Sequence, residues 1–199
     1  MFKNIKLIAL IVAMLWGANA SSNEIYVEQV GSSSTINLTQ QGSDNKIGNS
    51  INPAFIGSGS NTVNVEQIGS SNILQVLVNG VSTNLTISTT GSGNTQEVIC
   101  GSAMGSTCAG STITQIIAGD DNSIMQNLGQ GANHISNINV VGSTNAVTHT
   151  STSTAATTAD ITVTGNSNTI GVTQSGSLPQ SVAVSSTGNS NTIAIVQSN

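Results

Sequence analysis

The feature that most restricts the fold is a recurrence. Gly-x-x-Asn appears in register seven times, at Gly42/Asn45, Gly69/Asn72, Gly91/Asn94, Gly119/Asn122, Gly142/Asn145, Gly165/Asn168 and Gly188/Asn191. Successive glycines lie 27, 22, 28, 23, 23 and 23 residues apart. A period in this range marks a chain made of one supersecondary unit per repeat, which buries its apolar face only by stacking on its neighbours.

Between the turns, apolar and polar residues alternate. Ile170, Val172, Gln174 and Gly176 share one parity; Thr169, Gly171 and Thr173 share the other. Asn61, Val63, Val65, Gln67 and Gly69 repeat that pattern, as do Ile25, Val27, Gln29 and Gly31 beside Ile36, Leu38, Gln40 and Gly42. A period of two predicts strands with the first set facing inward, and no stripe of helical period is present. Each repeat therefore reads as a strand, a Gly-x-x-Asn turn, a strand and a second turn. The glycines Gly31, Gly42, Gly69, Gly91, Gly119, Gly142, Gly165 and Gly188 suit the positive φ of such turns, and Asn tolerates it. The predicted fold is all-β: a β-solenoid of stacked strand-turn-strand coils with a period of about 23 residues.

Composition agrees with this reading. Charged residues are 6% and aromatics 2% of the chain, so a core of large side chains is not available. Stacking instead aligns like residues into columns about 4.8 Å apart, where amides bond up and down the stack and charges would repel. Gln29, Gln40, Asn45, Asn61, Gln67, Asn72, Asn94, Asn122, Asn145, Asn168, Gln174, Asn191 and Gln197 are the expected inward ladder residues.

The N-terminus carries Lys3 and Lys6, an apolar stretch over residues 7–16, and Ala-Asn-Ala ending at Ala20. That order is the pattern of a secretory signal peptide, too short to span a bilayer. Residues 1–20 are thus expected to be the leader and 21–199 the repeat domain, secreted or on the cell surface, with no membrane span. The net charge of -5 offers no basic face to nucleic acid.

Two periods are long. One holds Ser-Ile-Asn-Pro-Ala-Phe-Ile-Gly, where Pro53 interrupts the ladder and Phe55 can cover an edge; an insertion is expected near residues 49–60. The other contains Cys100 and Cys108, and an insertion is expected near residues 100–110. In an oxidising compartment a disulfide stapling that loop is the preferred reading, since a metal site wants further Cys or His ligands and a redox pair wants Cys-x-x-Cys.

His134 falls on the outward parity, and His149 falls where an inward Gln would sit. Asp44, Asp120 and Asp121 lie in the turns, where solvated acids are expected rather than calcium ligands. No nucleophile elbow, phosphate loop or His-Glu-x-x-His motif occurs, and beyond the leader Lys46 is the one cation. An enzyme, a cofactor or a metal is not expected.

At the level of the repeat, the chain resembles the curlin repeat of bacterial curli fibre subunits, Ser-x5-Gln-x-Gly-x-x-Asn-x5-Gln. Residues 40–45 and 67–72 carry Gln-x-Gly-x-x-Asn in full, and residues 168–174 and 191–197 carry Asn-x5-Gln. Thr89, Ile117, Val140, Val163 and Ser186 replace the first Gln elsewhere. The resemblance implies a secreted β-solenoid that stacks end to end as a homo-oligomeric amyloid fibre, as major subunit or nucleator, with a related fibre subunit as a possible partner, serving adhesion and biofilm matrix. It implies that strands near residues 25–30 and 192–197 template the next subunit through unpaired edges. A monomeric surface-binding solenoid is the competing reading, motivated by the hydroxyls of residues 148–158 as a surface for glycans or another ordered lattice. Disorder is the third, and the regular spacing opposes it.

Overall fold

The computed structural model describes residues 9–13, 22–30, 33–50, 54–57, 59–79, 81–100, 108–129 and 131–199. It is an all-β solenoid of parallel strands, as the alternation requires, with two sheets that take turns along the chain. The eight-stranded sheet runs β1 (Ala9–Ala13), β4 (Thr35–Ser43), β7 (Thr62–Ser70), β9 (Asn84–Thr90), β11 (Thr112–Ala118), β13 (Ile135–Val141), β15 (Thr157–Thr164) and β17 (Gln180–Thr187). The second sheet contains β2 (Glu24–Ile25), β3 (Val27–Gln29), β5 (Lys46–Ile47), β6 (Ala54–Ile56), β8 (Ile73–Val78), β10 (Thr95–Cys100), β12 (Ser123–Asn127), β14 (Ala146–Ser151), β16 (Thr169–Ser175) and β18 (Thr192–Ser198). The chain alternates between the two sheets, with β2–β3 and β5–β6 each serving as one interrupted level of the second sheet, and each strand bonds to its counterpart one turn away.

The strand register follows the glycine spacing residue for residue. Ile36 pairs with Val63, Val63 with Leu85, Leu85 with Ile113, Ile113 with Ser136, Ser136 with Ala159 and Ala159 with Val182. Inward residues of both sheets pack into two apolar clusters, one from Ile36 to Leu128 and one from Ile117 to Val184. Branched aliphatics suit this arrangement because each stacks on a similar neighbour across a parallel pair.

The long periods are accommodated at two places. Ile47 pairs with Leu74 at an offset of 27, but Phe55 pairs with Leu77 at an offset of 22, so five extra residues lie between β5 and β6. Pro53 falls outside the described residues. Cys100 pairs with Val78 at an offset of 22 and Thr112 with Asn84 at 28, which puts six extra residues between β10 and β11. Among the described residues no helix is long and apolar enough to cross a membrane.

Candidate functional site: inner ladders and the ends of the stack

One corner of the solenoid is a continuous amide ladder. In the coil at Asn122, the backbone N–H and Nδ2 both donate to Asn94 Oδ1 at 3.0 Å, and Nδ2 also donates to the Gly142 carbonyl at 2.8 Å. The same three bonds recur at Asn72, Asn94, Asn145 and Asn168. Each buried amide is therefore satisfied by its neighbours above and below. The glycines are required by proximity as much as by φ: a Cβ on Gly119, at φ 140°, would lie 2.0 Å from the Gly142 carbonyl oxygen.

The turn glycines from Gly42 to Gly188 take the positive φ that the sequence suggests, but the asparagines differ from it. The Asn residues do not adopt it; the residue before each does, as at Asp44, Ser71, Asp121, Thr144, Ser167 and Ser190 with φ of 55–59°. This frees the Asn side chain to point inward. The ladder also begins one rung earlier than the motif, at Asn23, whose Oδ1 accepts from Asn45 N–H at 3.0 Å and Nδ2 at 3.2 Å. The parity of Ile25 was the available signal, because Asn23 stands two residues before it. Gly31 lies outside the described residues.

Asn61 belongs to the opposite corner. Its Oδ1 accepts from Thr83 N–H, and its register column continues through Thr83, Ser111, His134, Thr157 and Gln180. That column corrects the reading of His134, which is fully buried rather than outward. It stands two residues before Ser136 and shares the inward parity of Ser136, Ile138 and Val140 along β13. His134 Nδ1 meets Thr157 Oγ1 at 2.8 Å. His149 is buried in β14, with Nδ1 on Ser136 Oγ at 2.9 Å and Nε2 on Gln174 Oε1 at 3.1 Å. Since Gln Oε1 can only accept, Nε2 carries the proton and Nδ1 accepts from Ser136. Burial, opposed by the Gln174 bond, lowers the His149 pKa to about 4, and His134 nearby adds to the lowering.

The Gln residues form shorter runs. Gln40 Nε2 donates to Gln67 Oε1 at 2.8 Å, and Gln174 Nε2 to Gln197 Oε1 at 2.9 Å. Beyond Gln67 its column continues as Thr89, Ile117, Val140, Val163 and Ser186. Gln29, half-buried, heads a column through Ile56, Val78 and Cys100. Three further buried glutamines, Gln96, Gln115 and Gln126, lie outside the motif, Gln96 and Gln115 between apolar column neighbours and Gln126 between Val98 and His149; Gln115 Nε2 donates to Gln126 Oε1 at 2.7 Å. With the histidines they form a polar belt between the two apolar clusters.

Cys100 and Cys108 are joined, both fully buried, across a Cα–Cα distance of 5.2 Å. Asp120 Oδ1 accepts from Ser92 N–H at 2.7 Å, tying one turn to the next. Among the described residues no three His, Cys, Asp or Glu side chains gather as a metal ion would require. Of the hydroxyl-rich segment, Ser151, Ser153 and Thr157 are buried inside the coil rather than displayed.

At the C-terminal end β17 and β18 are the outermost strands of the two sheets, and at the other end the outermost strands are β1 and the β2–β3 pair. Buried polar atoms without a partner include Gln40 Oε1 near one end and Gln180 Oε1 and Ser186 Oγ near the other. No family model matches the chain, and no curated protein or solved structure is significantly similar to it.

Proposed function

We propose that the chain is an exported structural protein, the subunit or nucleator of a curli-like amyloid fibre serving adhesion and biofilm matrix. The observation that carries this reading is the amide ladder, which runs from Asn23 to Asn191 and ends with Asn191 Nδ2 turned back to the Thr187 carbonyl of its own coil at 3.3 Å, where every inner rung reaches the next turn. A stack whose terminal rung matches its inner rungs accepts another coil without new chemistry. Backbone edges of β17 and β18 supply the remaining bonds. The resemblance of the repeat to curlin, and the leader-like N-terminus, support export and assembly outside the cell.

Electron microscopy with thioflavin fluorescence and fibre diffraction tests this on exported protein. Unbranched fibres with a meridional spacing of about 4.8 Å are expected. Persistent strand-rich monomers that bind glycans would overturn the reading in favour of a surface-binding solenoid.

A further inference from the structure

Residues from β1 to β3 amount to one coil lying over the first full coil, which is made of β4, its turn, β5 and β6. The cover fits poorly. Gln40 Oε1, in β4 beneath this cover, is buried without a partner. On the other sheet the cover is two strands of two and three residues on either side of Tyr26, with Val27 37% exposed.

The last coil, β17 with its turn and β18, carries the better match. Following the register through the eight-stranded sheet puts Ser186 in the Gln40 column, so a second copy brings a buried hydroxyl donor that lacks a partner to an acceptor that lacks one. Gln180 shares the column of Ser34, and its unpartnered Oε1 stands where inner coils receive the backbone N–H of the next corner residue, as Asn61 Oδ1 does from Thr83. Asn191 offers the same Oδ1 and Nδ2 that Asn23 now gives to Asn45 and to the Gly42 carbonyl. β18 is also an unbroken strand of seven residues. These contacts cannot form while β2 and β3 stay in place. The eight-stranded sheet has seven strands from β4 to β17, whereas the other has eight levels from the β2–β3 pair to β18, so pairing β17 with β4 requires β18 to occupy the β2–β3 level.

We propose that the N-terminal half-coil is a displaceable cap: on assembly the last coil of one copy replaces β2 and β3 over β4–β6 of the next, giving seven coils per copy in unbroken register. The expected removal of residues 1–20 takes away β1 and frees β4, leaving only the short half-coil to exchange. This rests on the fibre reading above, and it adds the register and the exchanged strand.

The test uses cysteine pairs on outward positions in protein expressed from Met1 and recovered after export, treated with a short bifunctional thiol reagent. Thr192 shares a column with both Glu24 and Lys46. In Thr192→Cys/Lys46→Cys fibres, cap exchange makes the two thiols neighbours across the junction, and a ladder of covalent oligomers is expected, with peptide mapping showing 192–46 links. In Thr192→Cys/Glu24→Cys fibres few links are expected. Fibres that link 192 to 24 instead would overturn the exchange while leaving the fibre reading intact. Failure of all variants and of the unmodified protein to form fibres would overturn both.

Discussion

The coils after Ser111 repeat every 23 residues, whereas those before it repeat at 27, 22 and 28, yet the Asn corner runs through both halves unbroken. The irregular half places its extra residues elsewhere: five between β5 and β6 within a strand level, and six between β10 and β11 at the opposite corner. The difference separates the element that fixes register from those that only fill space. The Gly-x-x-Asn corner behaves as a spine because its glycines touch carbonyls of the next turn and its amides bond in both directions.

The largest break in that spine is Gly119→Ala. Its Cβ would meet backbone oxygen of Gly142 at 2.0 Å, and backbone cannot rotate aside as a side chain can. A loss of about 4 kcal/mol or more is expected, read as a collapse of the urea midpoint or of soluble yield. Asn122→Ala comes next, at about 3 kcal/mol, because it strands the buried Asn145 N–H and amide and the Gly142 carbonyl together. A six-residue Gly-Ser insertion within residues 101–107 should cost well under about 1 kcal/mol by loop-closure entropy. If the insertion proved as damaging as Asn122→Ala, the division between spine and filler would be wrong.

The polar belt sharpens the comparison in a different way, since it is sensitive to pH where the apolar clusters on each side are not. His149 is neutral in the folded chain, with a pKa lowered to about 4 from an ordinary 6.5. The unfolded chain therefore binds a proton first as pH falls, and stability is lost between about pH 6.5 and 4, by roughly 3 kcal/mol, then levels off. His134, the titratable neighbour, acts in the same direction by repelling a charged His149. Chemical denaturation of His149→Gln, which copies the Gln126 beneath it in the column, should give a flatter profile across that window. An unchanged slope would remove His149 from the account. Replacing Cys100 and Cys108 together by Ala ranks lower, at about 2–3 kcal/mol, with no change in pH dependence.

How much of this could be read in the sequence depends on which residue one asks about. Ile36, Val63 and Leu85 announced strand, face and register through strict alternation and the spacing of the glycines, and the coils stack as that spacing requires. The corner at Asn61 was less legible, because Thr83, Ser111, His134, Thr157 and Gln180 share only a hydrogen-bonding role and not a residue type. For His134 the legible signal was its shared parity with Ser136, Ile138 and Val140, the inward residues of the strand that follows it. Asn23 escaped the motif because no Gly-x-x precedes it, and the buried Gln115 because its column is otherwise Ile, Leu and Val. The unpartnered Ser186 Oγ, on which the proposed pairing of two copies draws, is a feature no one-dimensional pattern carries.

Gly188→Ala is the substitution that most directly opposes the ends of the stack to its middle. Gly188 has the same positive φ, 112°, as the other turn glycines, but the nearest atom to an added Cβ is Asn191 Nδ2 at 3.5 Å rather than a carbonyl of a following turn. The strain of alanine at that φ should cost the monomer about 1–2 kcal/mol, with strand dichroism retained. In an assembled stack, however, the Gly42 turn of the next copy would take the place that Gly188 itself takes over Gly165, where a Cβ meets the carbonyl oxygen at 2.0 Å. The variant should therefore fold and yet fail to elongate fibres from unmodified seeds, or do so at least about ten-fold more slowly. Elongation at the parental rate would mean that the Gly-x-x-Asn spine stops at the last coil of each copy, and that copies meet through some other surface.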